Sequence, residues 1–377
     1  MPVEIQGRFD EKFANVKDAF ARNFNDGLDV GASVAVTVDG ENVVDLWAGS
    51  LVDAGEDKWQ EDTIVNVWST TKTMAAIVML MLADRGLLDF DKPVASYWPE
   101  FANNGKENVL VRHIMSHSAG LSSLDEPIVF QDYCDHDRIV ALLAQQAPWW
   151  EPGTQSGYHA ITQGHLQNEL VRRITGITLG RFFKEQVAEP LEADFHIGTP
   201  ASLDSRIGFL SPPESDAELD VDPNSVMGRT MMNPPLDALA PRASAWREAE
   251  IPAANGHGNA RSVARIHSAI ACGGEIDGVR LLTEAGCRKI FDVQTDGEDL
   301  VLGMPVRYGM GFGINSSHQP LSPNPNVCYW GGWGGSLGVI DMDSRMSFAY
   351  VMNRMQSGTT GDLRAANLLL PVYGALG

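Results

Sequence analysis

Ser69 and Lys72 stand three residues apart in Trp68-Ser69-Thr70-Thr71-Lys72, just ahead of a stretch rich in Met, Ala and Leu. With a helix starting at Ser69, Lys72 falls one turn later on the same face. The serine hydroxyl would then lie where unpaired backbone N–H groups and the positive dipole end gather, which suits an oxyanion forming beside it. Lys72 is one of eight lysines and borders the most apolar helical stretch of the chain. Desolvation there favours the neutral amine, the form that accepts a proton. No other Ser-x-x-Lys occurs. The spacing alone is weak, since about one or two are expected by chance in a chain of ordinary composition. A serine cap followed by a surface lysine would leave the same pattern.

Two further segments carry candidate groups. In Glu151-Pro152-Gly153-Thr154-Gln155-Ser156-Gly157-Tyr158-His159-Ala160, Tyr158 follows a Pro-Gly turn at a predicted helix start. The helix-end field is expected to favour its phenolate; the alternative is an amphipathic tyrosine capping a core helix. In Tyr329-Trp330-Gly331-Gly332-Trp333-Gly334-Gly335-Ser336-Leu337-Gly338, four glycines fill five positions between two strand-like runs. A ligand can approach such a backbone closely and meet free N–H groups. Trp330, Gly331 and Gly332 are therefore candidate substrate contacts, against the alternative of a Gly-rich hairpin with a packed tryptophan. His257, just after a long irregular stretch, is a candidate pocket residue.

Three other patterns offer competing chemistry. Gly334-Gly335-Ser336-Leu337-Gly338 fits G-x-S-x-G, but a nucleophile elbow needs a helix after the serine and a histidine later in the chain. Here a strand-like run follows Ser336 and the last histidine is His318. His113 and His117, four apart, could present two metal ligands on one helical face, yet no acidic or Cys partner accompanies them. Capping or core packing is the favoured role. Cys134, Cys272, Cys287 and Cys328 lack C-x-x-C spacing and read as free, mostly buried thiols. Neither a metal nor a cofactor is expected.

The elements that must position these groups follow from periodicity. Phe13, Val16, Phe20 and Phe24 mark an amphipathic helix over 9–24. The β-rich runs 32–38 and 43–47 flank Asp39-Gly40, a hairpin signal. Helices are predicted over 70–85, 111–117, 137–146, 160–175 and 178–189. Residues 201–255 hold seven prolines, nine acidic residues and four arginines with weak periodicity. They read as a long loop region that would border a site. Strands return at 308–314, 327–330, 337–341 and 347–352, and a helix is predicted over 360–372. Strands at both ends around a helical middle predict an α+β fold. The expected division is a discontinuous sheet domain, 1–65 with 256–377, and a mostly helical domain, 66–255.

Composition narrows the partners. The 377 residues are 44% hydrophobic and 20% charged, ordinary for a globular chain. A net charge of −21 repels phosphate backbones and anionic lipids, so nucleic-acid and membrane-surface roles are disfavoured. The first residues lack a signal-peptide pattern, and the longest apolar run, Met74–Ala83, is about half a membrane span. A cytoplasmic address is expected. The sequence leaves the oligomeric state open.

Taken together and in this order, the three segments resemble the serine β-lactamase and penicillin-binding superfamily, and most of all the family VIII carboxylesterases related to class C β-lactamases. The resemblance extends to His117-Ser118-Ala119-Gly120-Leu121, similar to H-T-S-G-L, and to the Trp-Glu-Pro-Gly-Thr…Gly-Tyr stretch. It implies a β-lactamase/transpeptidase-like fold with a mainly antiparallel sheet flanked by helices. It implies Ser69 as nucleophile, Lys72 and Tyr158 as the pair that deprotonates it, and an oxyanion hole from the N–H groups of Ser69 and Trp333. The expected reaction is cleavage of small carboxylic esters through an acyl-Ser69 intermediate. Within the same fold the alternatives are a β-lactamase, a D-amino-peptide hydrolase or an acyltransferase; outside it, a catalytically silent binding scaffold. Two departures bear on substrate: Trp330 stands where β-lactamases carry the lysine of K-T-G, and Ala160 where class C enzymes have asparagine.

Overall fold

The computed structural model describes residues 3–53, 55–214 and 221–377. Strand β1 (Gln6–Phe9) leads through one 3-10 turn into α1 (Ala14–Asn25), which buries Val16 and Phe20. Strands β2 (Gly31–Val38) and β3 (Glu41–Gly49) form the expected hairpin, with Asp39 and Gly40 both at positive φ. After β4 (Val65–Asn66), the turn Trp68–Thr70 enters α2 (Thr71–Asp84). Every residue of α2 from Thr71 to Leu82 is buried, so the helix is enclosed on all sides rather than amphipathic.

The helical middle continues with α3 (Val111–Met115), α4 (His136–Gln145), α5 (Thr162–Thr175) and α6 (Leu179–Phe183), the last running on as a π-turn over Lys184–Ala188. Helix α3 stops two residues short of the predicted end, because His117 takes φ +58°. After β5 (Phe195–His196), the stretch 201–255 is not all loop: it contains α7 (Val226–Met232), α8 (Ser244–Glu248) and two 3-10 turns. These helices are one or two turns long, too short to leave a periodic pattern. Residues 215–220 of that stretch lie outside the described residues.

Strand β6 (His257–Gly258) joins β4 and β5 in a small sheet ordered β4-β6-β5. Helix α9 (Ala260–Ala271) follows, capped by Asn259, whose side chain accepts from Ser262 N at 2.8 Å. The hairpin β7 (Glu275–Ile276) and β8 (Val279–Arg280) and the short α10 (Glu284–Arg288) lead to the returning strands. These are β9 (Thr295–Glu298), β10 (Pro305–Tyr308), β11 (Gly313–Ile314), β12 (Val327–Gly331), β13 (Leu337–Asp341) and β14 (Met346–Met352). The predicted strand 308–314 is broken by a turn in which Gly309 N donates to Phe312 O at 2.9 Å. Helix α11 (Leu363–Leu376) closes the chain.

The main sheet has nine strands in the order β1-β3-β2-β14-β13-β12-β11-β10-β9. Its centre pairs β2 with β14 antiparallel, Val34 opposite Tyr350 and Val36 opposite Phe348. All residues of β12, β13 and β14 are buried, so both faces are covered. Ser347 donates to Ala264 O of α9, while Tyr350, on the other face by alternation, lies under Arg364 of α11. The fold is α+β with an antiparallel sheet and helices on both faces, as expected. Cys287 and Cys328 are buried and Cys134 and Cys272 half-buried, all as free thiols. Among the described residues no helix is long and apolar enough to cross a membrane.

Candidate active site

The turn Trp68–Thr70 is pinned from two directions. Val67 N donates to Gly256 O at 2.9 Å, and Ser336 Oγ donates to Val67 O at 2.8 Å while lying 2.9 Å from Thr70 Oγ1. Trp68 takes φ +45°, an uncommon conformation for a bulky residue, and its ring is packed between Trp246 and Trp333 at 5.6 and 5.1 Å. This presents Ser69, 8% exposed, at the entry to α2. Ser336 is thus a buried bracket for that turn, with strand β13 and no helix after it, so the elbow geometry of its G-x-S-x-G setting is absent.

Lys72 Nζ lies 3.1 Å from Ser69 Oγ and donates to Ala160 O at 2.6 Å and Ala253 O at 2.9 Å. Among the described residues no carboxylate pairs with it, and complete burial holds its pKa well below the usual lysine range. A neutral amine has two N–H donors. The two carbonyls engage both, leaving the nitrogen lone pair for the hydroxyl of Ser69.

Tyr158 lies beside Lys72, whose Nζ is 4.8 Å from the centre of its ring, and its O–H is 2.5 Å from Ser69 Oγ. Its backbone N–H donates at 2.9 Å to Asp299 Oδ1, which also accepts from Val301 N and Leu302 N. The ring packs against His117 and Trp330 at 5.0 and 5.4 Å. The expectation of a phenolate is corrected here: burial pushes the Tyr158 phenol up, outweighing the opposing hydrogen bond to Ser69. Helix α5 begins only at Thr162, so the field of its N-terminus, which fades within one turn, does not reach the hydroxyl. Tyr158 is a neutral donor.

The loop 117–121 is sewn to the segment carrying Tyr158 by two histidines. His159 N donates to His117 Nδ1 at 3.0 Å, and Gly157 N to His117 O at 2.9 Å. Leu121 N donates to His159 Nε2 at 3.0 Å, so Nδ1 of His159 carries the proton and donates to Gly157 O at 2.6 Å. Burial lowers the pKa of both rings, that of His159 to about 3, so both are neutral fasteners. His113 caps α3 by accepting from Leu110 N at 3.2 Å, and His117 lies beyond the helix end, so the two do not share a helical face.

The glycine-rich turn closes the site. Gly332, Gly334 and Gly335 donate their N–H groups to Ser336 O, Gly358 O and Gly332 O. Among the described residues, the Trp333 N–H alone of these four has no acceptor. A Cβ on Gly332 would lie 2.2 Å from Val67 O, so only glycine lets this turn sit against the Ser69 turn. Trp330, the next-to-last residue of β12, is buried on His117, and Gly331, the last, lies against Thr360 and Gly361. His257 is fully buried on β6, opposite Asn66 and His196; its hydrogen bond to Asn255 O at 2.9 Å leaves it with none to Ser69, Lys72 or Tyr158. Asp299, the Ser336 bracket and the two lysine-holding carbonyls had no local sequence signal, since each partner is 88 to 269 residues away.

The Beta-lactamase family profile matches residues 20–372, and the chain belongs to that family. It is 37% identical over 374 residues to the esterase/beta-lactamase LipL of Mycobacterium tuberculosis, covering 94% of this chain and 84% of that protein. It is similar in structure to a family VIII carboxylesterase, with a TM-score of 0.92 and 41% identity over 99% of this chain and all of that one. A penicillin-binding protein homologue from Caulobacter crescentus superposes with a TM-score of 0.93 at 36% identity, again over 99% and 100% of the two chains.

Proposed function

We propose that the protein is a serine carboxylesterase that cleaves small esters through an acyl-Ser69 intermediate. The observation that carries this reading is the placement of Ser69 Oγ 3.1 Å from the Lys72 nitrogen and 2.5 Å from the Tyr158 hydroxyl. The relatives named as esterases and as a carboxylesterase support it.

In this reading Ser69 Oγ attacks the ester carbonyl as its proton passes to the neutral Lys72 amine. The N–H groups of Ser69 and Trp333 hold the developing oxyanion. Collapse breaks the C–O bond; the leaving alkoxide takes the proton of Tyr158, which is restored from the Lys72 ammonium. In the second half a water oxygen attacks the acyl carbonyl, giving its proton to Tyr158 as the Tyr158 proton moves to Lys72, and a second tetrahedral intermediate forms, whose C–Oγ bond then breaks. Collapse of that intermediate returns the proton to Ser69 Oγ and frees the acid. No metal or cofactor is invoked.

The test is covalent labelling with a fluorophosphonate alongside hydrolysis of a nitrophenyl butyrate. Ser69→Ala is expected to lose both label and turnover with its fold intact. Ser336→Ala keeps the label at Ser69, although losing the bonds to Val67 and Thr70 costs about 1–2 kcal/mol of stability. A label on Ser336, or an active Ser69→Ala, would overturn the assignment.

A further inference from the structure

The peptide Gly332–Trp333 has its two ends in different surroundings. Its N–H has no acceptor among the described residues, whereas its carbonyl, Gly332 O, accepts from Gly335 N at 3.1 Å and Gly361 N at 3.3 Å. A trans peptide holds C=O and N–H antiparallel, so fixing the carbonyl aims the N–H. The groups fixing it belong to the turn itself and to the lead-in of α11, not to the catalytic helices.

Arg364, in the first turn of α11, lies directly beneath this turn. Its Nη2 donates to Gly334 O at 2.6 Å and to Asp362 Oδ2 at 2.6 Å. Its Nη1 donates to Asp29 Oδ1 and Arg354 O, both at 2.8 Å, and to Leu28 O at 3.1 Å. Asp29 is itself fully buried and accepts from Tyr350 O–H at 2.6 Å. A Cβ on Gly335 would lie 2.3 Å from Arg364 Nη2 and from Asp362 Oδ2, so the turn rests on the ion pair. Gln356 N also donates to Gly334 O, at 2.9 Å, and Gly334 N to Gly358 O, at 2.9 Å.

A guanidinium buried at 3% exposure between two carboxylates is costly to desolvate, and for stability alone an apolar core residue would serve as well. What this one adds is direction. Its planar fork reaches Asp29, Asp362 and Gly334 O at once, which an ammonium cannot do. We infer that Arg364, held by Asp29 and Asp362, is a positioning residue that fixes the Gly332–Trp333 peptide so that its N–H points at the oxyanion formed on Ser69. The inference rests on the reading that the Trp333 N–H serves that oxyanion.

The test uses Arg364→Lys in the full chain, with kcat and KM for a nitrophenyl butyrate. It adds the infrared carbonyl band of a cinnamoyl-enzyme formed at low pH, where deacylation is slow. A well-aimed N–H lowers that band in the unsubstituted protein. Arg364→Lys is expected to move it back toward the free ester and to lower kcat on the order of 10- to 100-fold, with KM within about threefold. A merely structural role would move the melting temperature without moving the band. If Arg364→Lys does not fold, Asp362→Asn, which keeps a good helix cap, is expected to give the same two changes at several-fold size. A folded variant with unchanged band and kcat would overturn the role of Arg364 while leaving the oxyanion hole standing. An unlowered band in the unsubstituted protein would remove the oxyanion reading, and the proposal with it.

Discussion

At the level of single residues, the protonation states decide what the site can do. Lys72 has a folded-state pKa below that of a free lysine because burial disfavours the ammonium. Between the two values the unfolded chain binds one proton more than the folded one, so stability rises with pH across that window. Lys72→Met removes this dependence. It is expected to flatten the stability profile across that window, whose upper end is the free-lysine value of about 10, and to cut kcat on the order of 10² or more. Denaturant melts over pH together with steady-state kinetics would check both; a Lys72→Met profile that still rises across the window as in the unsubstituted protein would contradict the neutral-amine reading. In the unsubstituted protein kcat should climb as pH rises through the Lys72 titration, since only the free amine accepts the serine proton. Ser69, Lys72 and Tyr158 were legible in the sequence because their spacing or their flanking turn is local. The charge state of Tyr158 was not: it depends on burial by Trp330 and Tyr308, which the chain order separates from it by 150 residues or more.

Among the elements, the short helices of the 201–255 stretch were hidden from a periodicity reading but bear on the site. Helix α7 brings Val226 and Met231 against the apolar cluster of Tyr158, Trp330, Tyr308, Val301 and Val306, beside Leu302 and Met304. A flank of methionine and branched side chains adapts to alkyl groups of different length. If it lines the acyl pocket, trimming it should favour longer chains. Met231→Ala combined with Val226→Ala is expected to shift kcat/KM from butyrate toward decanoate esters on the order of 10-fold. An unchanged ratio in a folded double variant would place the pocket elsewhere. The hairpin, the entry helix and the strands of 327–352 were readable because each has a strong local pattern. The pairing of β2 with β14 follows only from the sheet as a whole, where the two strands lie 310 residues apart in sequence at the bond between Thr37 and Ser347.

For the whole molecule, charge sets which substrates arrive. At −21 the protein offers no long-range attraction to an anion, and Trp330 is an uncharged ring at the position where the resemblance to β-lactamases would put a lysine. Ala160 supplies only its carbonyl, already taken by Lys72. A neutral short ester needs neither contact. Turnover of a nitrophenyl butyrate is therefore expected to exceed that of nitrocefin by a wide margin in one buffer. Added salt should lower KM for nitrocefin and leave the ester's unchanged, because screening relieves a repulsion that only the anion feels. A nitrocefin kcat/KM equal to or above the ester's would favour a β-lactamase instead.

The position of β14 at the middle of the sheet, between β13 and β2, has a consequence for how the protein is made. A ribosome delivers β2, Ser69, Lys72 and Tyr158 well before the strand that β2 must pair with, which follows 310 residues later at the bond between Thr37 and Ser347, and before the turn bearing Trp333. Until then the β2 edge has no permanent neighbour, and such edges are where nascent chains stick to one another. The emerging polypeptide thus carries Ser69 apart from the Trp333 turn until β13 and β14 have been made, and the sheet is completed only then. Because so many of its pairings span the length of the chain, that final step should be slow compared with helical proteins of similar size.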